Sequence, residues 1–329
     1  MHDLQTIFNK SSVPNIEVIS SQIIKENILT KTLIVETNIA KFAVKIFSIF
    51  CLGVLFKKSK EEILEFVNQN EAALQFLISN QLRIPSNFKF RNRHIIDDKD
   101  ELYIFYEFLP GVIKESEGYS LEMIKKVSKG LKKIHSSNYK IYPKSFWELK
   151  YRTFCNFMNA AINQAESKDV QQIFMTANLG DFVQNTIKLG REIYNTPVNF
   201  LDEFCLIHGD YRPKNILWDK DSFSVIDWEV YAVNHRSYEV LNSLLGFSML
   251  ESQDPFVLDK AKAITFFKTY NEGLDKTVQF ERQDLSMVVN NFIHWMVSNY
   301  AQKNKVEVDY ALNAIKCIQE NQEFLLNLR

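Results

Sequence analysis

The chain has 329 residues, 46% of them hydrophobic, with 39 basic against 40 acidic side chains and a formal charge of −1. That length suits two structured lobes better than one core. The even charge excludes a nucleic-acid-binding surface as the main business, because phosphate backbones are met by a clear basic excess. Cys51, Cys155, Cys205 and Cys317 are scattered, with no CxxC pair and no His at ligand spacing. They read as buried thiols of a reduced, cytoplasmic protein, not as disulfides or zinc ligands.

The polar N-terminus, MHDLQTIFNKSSVPN, lacks the apolar core of a signal peptide. Apolar alternation then predicts three strands, Ile16 to Ile24, Thr32 to Glu36 and Lys41 to Phe47, with polar turns at Lys25-Glu26-Asn27 and Thr37-Asn38. The third strand reads KFAVKIF. In it Lys45 is flanked by Ala43, Val44 and Ile46, and Lys41, on the same face, is its rival as a functional lysine. The apolar run Ile46 to Phe56 is too short to span a bilayer and closes on Lys57, Lys58 and Lys60. It reads as buried core, with a membrane-surface patch as the alternative.

Helical spacing of Ile63, Leu64, Val67, Leu74, Leu77 and Ile78 predicts a helix from Lys60 to Ser79. Glu71, within NEAALQFL, is the acidic residue expected to point inward, while Glu61, Glu62 and Glu65 read as its solvated face. Leu102 to Leu109 is an aromatic-rich strand ending in Pro110-Gly111, a hinge-like pair. Leu121 to His135 has the spacing of an amphipathic helix, and His135 reads as a cation at its C-terminus.

The most informative stretch is HGDYRPKNILWDKDSFSVIDWEV, residues 208–230. Short apolar strands are predicted at Phe204 to Ile207, Ile216 to Trp218 and Phe223 to Ile226, with a turn at Asp219 to Ser222. Asp210 falls on the loop, where a carboxylate can accept the proton of an attacking hydroxyl. Asn215 and Asp227 flank the strand pair and offer oxygen ligands to Mg²⁺ bridging the phosphates of ATP. Arg212 and Lys214 either lean on the transferring phosphoryl group or face solvent. From Tyr238 onward the chain reads as helices.

At these residues the chain resembles the aminoglycoside phosphotransferase and choline kinase family, the small-molecule branch of the protein-kinase-like fold. The likeness runs from about Ile16 to the C-terminal helices, and its specific part is HGDYRPKNIL…VIDWE, supported more weakly by FAVKIF, NEAALQFL and FYEFLPG. The resemblance implies an α+β, two-lobed fold, with a small β-rich nucleotide-binding lobe over 1–109 and a larger, mostly helical lobe over 110–329. It implies Mg²⁺-dependent transfer of the γ-phosphoryl group of ATP or GTP to a hydroxyl of a small molecule. Amino sugars, aminoglycosides, choline-like amino alcohols and sugars all stay open as acceptors, and the oligomeric state stays open too.

Residue by residue, Asp210 matches the catalytic base, Asn215 and Asp227 the metal ligands, Lys45 the phosphate lysine and Glu71 its partner. Glu107 through Leu109 to Gly111 match the hinge that holds adenine. Two departures stand out. The segment Ile23 to Lys31 has no glycine, leaving Thr30, Lys31 and backbone N–H groups to meet phosphate. Glu239 stands where the family has an Asp that braces the catalytic loop, and His208 takes a supporting structural role. A pseudokinase scaffold is the competing reading. For a cationic acceptor, Glu229, Asp254, Glu272, Asp275, Tyr231, Tyr300 and Trp295 are candidates, with cation–π contact to Trp295 suiting a quaternary amine.

Overall fold

A computed structural model describes residues 4–10, 15–26, 30–50, 59–79, 82–88, 95–137, 144–196, 204–228 and 231–329. The chain divides into two compact units, Met1–Val112 with Leu217–Ile226, and Ile113–Ile216 with Asp227–Arg329.

The first unit is built on an antiparallel sheet of five strands, β1 (Val18–Glu26), β2 (Thr30–Thr37), β3 (Lys41–Ser48), β4 (Ile95–Asp98) and β5 (Glu101–Glu107), in the order β1-β2-β3-β5-β4. Alternation along β3 sends Phe42, Val44 and Ile46 into a core with Val35, Phe105 and residues Leu4, Ile7 and Phe8 of helix α1 (Leu4–Lys10). The opposite face gathers Leu102, Ile104 and Ile49 with Ile63 of helix α2 (Lys60–Ser79). Lys45, paired with Ile104 and Thr32 across the sheet, lies on this second face.

Three boundaries differ from the sequence reading. β1 starts at Val18 and continues through Lys25 and Glu26, expected to turn, because these two residues pair with Thr32 and Lys31. A Glu26–Lys31 ion pair at 2.8 Å closes that end. Of the apolar run, Ile46, Phe47 and Ser48 finish β3 and Ile49 is buried, but Phe50 is 70% exposed; residues 51–58 lie outside the described residues. β5 stops at Glu107 because its pairing with β3 ends there, opposite Phe42. Beyond it Gly111 has φ 154° and a Cβ there would stand 3.0 Å from the Trp218 carbonyl oxygen, so only glycine passes without strain. Val112 then exchanges two backbone hydrogen bonds of 2.9 Å with Trp218, on the hairpin of β7 (Ile216–Asp219) and β8 (Ser222–Val225).

The second unit is mostly helical. Helix α3 (Leu121–Ser136) is capped by the Ser120 side chain, which accepts the Met123 N–H. Three helices follow, α4 (Lys144–Ala165), α5 (Lys168–Thr176) and α6 (Gly180–Asn195), then β6 (Phe204–Ile207) pairs antiparallel with β9 (Ala232–His235). Helix α7 (Arg236–Ser248) leads through a short ladder, β10 (Met249–Leu250) with β11 (Val257–Leu258), to α8 (Lys260–Asn271), α9 (Arg282–Ala301) and α10 (Lys305–Leu326). α9 packs against α4, α6, α7 and α10. The Ser128 hydroxyl ties α3 to α8 by donating to the Phe266 carbonyl at 2.7 Å.

Cys155, Cys205 and Cys317 are free and buried, as their apolar settings suggested, and burial pushes the Cys205 thiol up to about 12. Cys51 lies outside the described residues. Among the described residues no helix is long and apolar enough to cross a membrane.

Candidate active site

The loop after β6 carries the diagnostic motif. At Gly209 the backbone turns through φ 86°, which glycine alone adopts freely, and this sets Asp210 beyond the end of the strand. Tyr211 is fully buried, and its hydroxyl donates to the Val127 carbonyl of α3 at 2.8 Å. A single 3₁₀ turn over Pro213–Asn215 brings the Asn215 side chain back. Its amide group donates to both the Asp210 carbonyl and Asp210 Oδ2, each at 2.8 Å. With both amide hydrogens spent on Asp210, the carboxamide oxygen is turned away from it.

Asp210 Oδ1 faces Arg212 Nε at 2.7 Å. After the hairpin the chain re-enters this unit at Asp227, whose φ of 67° is left-handed, a conformation Asp tolerates better than most residues. Carboxamide and carboxylate oxygens are hard donors, so Asn215 and Asp227 fit a Mg²⁺ ion by chemistry.

A buried acid fixes the loop from below. Glu239 is 0% exposed on α7. One of its oxygens accepts the His208 N–H at 2.9 Å and the other the Gly209 N–H at 2.5 Å. Hydrogen bonds to an ionised acceptor contribute about 1.5–3 kcal/mol each. Glu239 thus occupies the bracing position that the sequence assigned to it. His208 is equally buried, and its Nδ1 accepts the Asp210 N–H at 3.2 Å, a supporting role in line with the sequence reading.

His135 requires a correction. It is not a cation at a helix end but a buried link, with Nε2 2.7 Å from Glu239 and Nδ1 2.6 Å from the Tyr270 hydroxyl. A neutral ring with its proton on Nε2 donates to the carboxylate and accepts from the tyrosine, which satisfies all three groups. Burial holds the imidazole below its ordinary value, partly offset by Glu239. The amphipathic spacing of α3 placed His135 near the terminus, but Tyr270, 135 residues away, left no trace in the local sequence.

Arg212 and Lys214, alike in the sequence reading, separate in the structure. Lys214 is exposed, with Nζ 5.5 Å from the Tyr310 ring. Arg212 is partly buried, with its guanidinium 5.8 Å from the Trp295 ring. The indole face proposed for a substrate cation therefore carries a cation of the protein. Tyr231 is buried, while Asp254 accepts from Asn313 at 3.3 Å. Glu229 lies outside the described residues.

In the first unit, Lys45 is half-buried in mid-strand, whereas Lys41 is exposed and rests 4.6 Å over the Phe108 ring. Thr30 opens β2 and is buried. Glu107 ends β5 and accepts from the Ser86 hydroxyl at 2.8 Å, with Leu109 two residues on and half-buried. Glu71 falls on α2, but its side chain lies outside what the structure describes.

The pattern of the APH family, the Phosphotransferase enzyme family, matches residues 58–272. This chain belongs to that family and is a small-molecule kinase, as its motifs implied. Among solved structures it is similar to spectinomycin phosphotransferase APH(9)-Ia in complex with ADP and spectinomycin, with a TM-score of 0.62 and 15% identity over 96% of this chain and 93% of that one. Choline kinase from Cryptosporidium parvum Iowa II is similar with a TM-score of 0.57 and 15% identity over 98% of each chain. The GDP complex of aminoglycoside 2'-phosphotransferase-IIIa gives 0.62 and 13%, over 98% of this chain and 100% of that one. These likenesses show the protein-kinase-like α+β fold. No curated protein matches the chain.

Proposed function

We propose that the chain moves the γ-phosphoryl group of ATP or GTP to a hydroxyl of a small molecule, with Asp210 as the base. The observation that carries this reading is the double hydrogen bond from Asn215 to Asp210, which aims one carboxylate and leaves the carboxamide oxygen for a cation. Asp210 accepts the proton of the hydroxyl as its oxygen meets the γ-phosphorus. Asn215 and Asp227 would hold Mg²⁺, which supplies charge neutralisation of the phosphates when bound. Lys45 is the lysine for the α- and β-phosphates and Glu71 its partner. Glu107 to Leu109 hold the adenine or guanine edge, and Thr30 serves the phosphate loop. Glu239 fixes the loop backbone, so the orientation of Asp210 is set before substrate arrives.

The test is a thermal-shift titration of the purified chain with ATP and GTP, each with and without Mg²⁺, followed by a panel of hydroxylated amines and sugars read by ADP or GDP release. A Mg²⁺-dependent nucleotide shift and turnover of at least one acceptor are expected, since a ligand that binds only the folded state raises its apparent stability. A folded chain that responds to neither nucleotide sinks the reading.

A further inference from the structure

One group beside Asp210 has no task in the reaction as written above. Arg212 Nε stands 2.7 Å from Asp210 Oδ1, yet it is buried with no aligned acceptor. The contact is thus one of charge, not a directed hydrogen bond. On its other side the guanidinium rests over Trp295 at 5.8 Å. The indole is itself held, since its Nε1 donates to Glu307 of α10 at 2.9 Å. The Arg212 backbone is fixed, because its carbonyl accepts the Asn215 N–H at 2.9 Å. Gly246 of α7 makes room for it, as a Cβ there would stand 3.1 Å from Arg212 Cβ. The guanidinium also meets the Tyr310 hydroxyl and lies near the Glu251 carboxylate, so a fixed backbone carries a head group held at its far end, with no aligned bond at Nε.

Resting on the phosphotransferase reading, we infer that Arg212 is a further catalytic residue, whose guanidinium takes up the charge of the phosphoryl group in flight, and that Trp295, held by Glu307, is the positioning residue that keeps it beside Asp210. In the transfer, the bond from the β–γ bridging oxygen to the γ-phosphorus breaks and the bond from the acceptor oxygen forms. The hydroxyl proton passes to Asp210. Arg212 exchanges no atom. It swings from Oδ1 to the equatorial oxygens, which frees Oδ1 for the hydroxyl while Oδ2 stays with Asn215. A planar, always-charged fork suits three oxygens that share spreading negative charge, and a preorganised donor of this kind is worth about 10²–10³ in rate. Lys214, exposed and over Tyr310, is not placed to do this.

The experiment uses the full chain with Mg·ATP and water as acceptor, reading ADP release for the wild type, Arg212→Met, Arg212→Lys, Arg212→Ala and Trp295→Leu. We expect Arg212→Met to lower kcat about 100-fold with KM for ATP within about twofold, the mark of an interaction made only in the transition state. Arg212→Lys should keep more activity than Arg212→Met, guanidinium ion should restore part of the turnover of Arg212→Ala, and Trp295→Leu should lower kcat several-fold at unchanged KM. If Arg212→Met does not fold, the Lys and Trp295 variants carry the test. Wild-type kcat in Arg212→Met overturns the inference, and so does a loss that guanidinium leaves unrescued and that raises KM in step. A wild-type chain that releases no ADP with water or with any acceptor of the panel, and shows no Mg²⁺-dependent thermal shift with ATP or GTP, fails one level earlier, at the phosphotransferase reading itself.

Discussion

Glu239 and His135 share a hydrogen bond of 2.7 Å at the bottom of the catalytic loop, and the same carboxylate holds the His208 and Gly209 N–H groups. Removing it leaves three donors without an acceptor, those of His135 and His208 buried and that of Gly209 partly so. Glu239→Ala should therefore cost about 3–5 kcal/mol in urea unfolding. Glu239→Gln keeps an oxygen on one side but opposes an NH₂ to a donor on the other, so we expect it to fold and to lose at least about tenfold in kcat with nucleotide affinity retained. An Ala variant as stable as wild type would deny the bracing role.

The pair of Asp210 and Asn215 makes a second prediction. Asp210→Asn should lower phosphoryl transfer by about 10²–10⁴ while nucleotide binding stays within a few-fold. Asn215→Ala removes the hydrogen bonds that aim Asp210 and the oxygen proposed for the metal, so the Mg²⁺ concentration for half-maximal turnover should rise about 10-fold or more. A magnesium requirement unchanged in Asn215→Ala would remove that residue from the metal.

The two strand lysines are separable by nucleotide titration. Lys45→Ala should weaken nucleotide use, because Lys45 is half-buried on the sheet face opposite Phe42 and Val44. Lys41→Ala should leave it near wild type, since that side chain is exposed over Phe108. The reverse order would transfer the phosphate role to Lys41.

How much of this was legible in the sequence depended on the range of each interaction. Strand alternation fixed the face of Phe42, Val44 and Ile46, and helical spacing placed α2 over Lys60–Ser79, because both are set by neighbours in sequence. The hairpin around Asp219 to Ser222 was likewise visible in its turn chemistry. By contrast, Lys25 and Glu26 look like turn residues and become strand through pairing with β2. The Tyr270–His135–Glu239 chain and the seating of Arg212 on Trp295 join residues far apart in sequence, and no periodicity reports them. The motif of the candidate site, with Glu239 and His208 as its supports, was thus readable from the chain, while the distant partners Tyr270 and Trp295 were not.

His294 gives a prediction for pH. Its ring lies 4.1 Å from that of Phe157, and burial pushes it down to about 4 from 6.5. Between those values the unfolded chain binds a proton that the folded chain refuses. Stability contributed by the neutral ring is thus fully present above pH 6.5, falls as pH drops, and is gone below about 4. The most this group can remove is about 3 kcal/mol, and His135, also lowered by burial, acts in the same direction. Carboxylate protonation adds its own loss at acid pH, so the comparison must be between variants. Replacing the ring by one that cannot titrate, His294→Phe, should keep the tilted ring contact with Phe157 and flatten the fall in urea-unfolding free energy between pH 6.5 and 4.5 by about 2 kcal/mol. Parallel curves for wild type and variant would show that His294 is protonated in the folded protein, and the burial argument for it would fail.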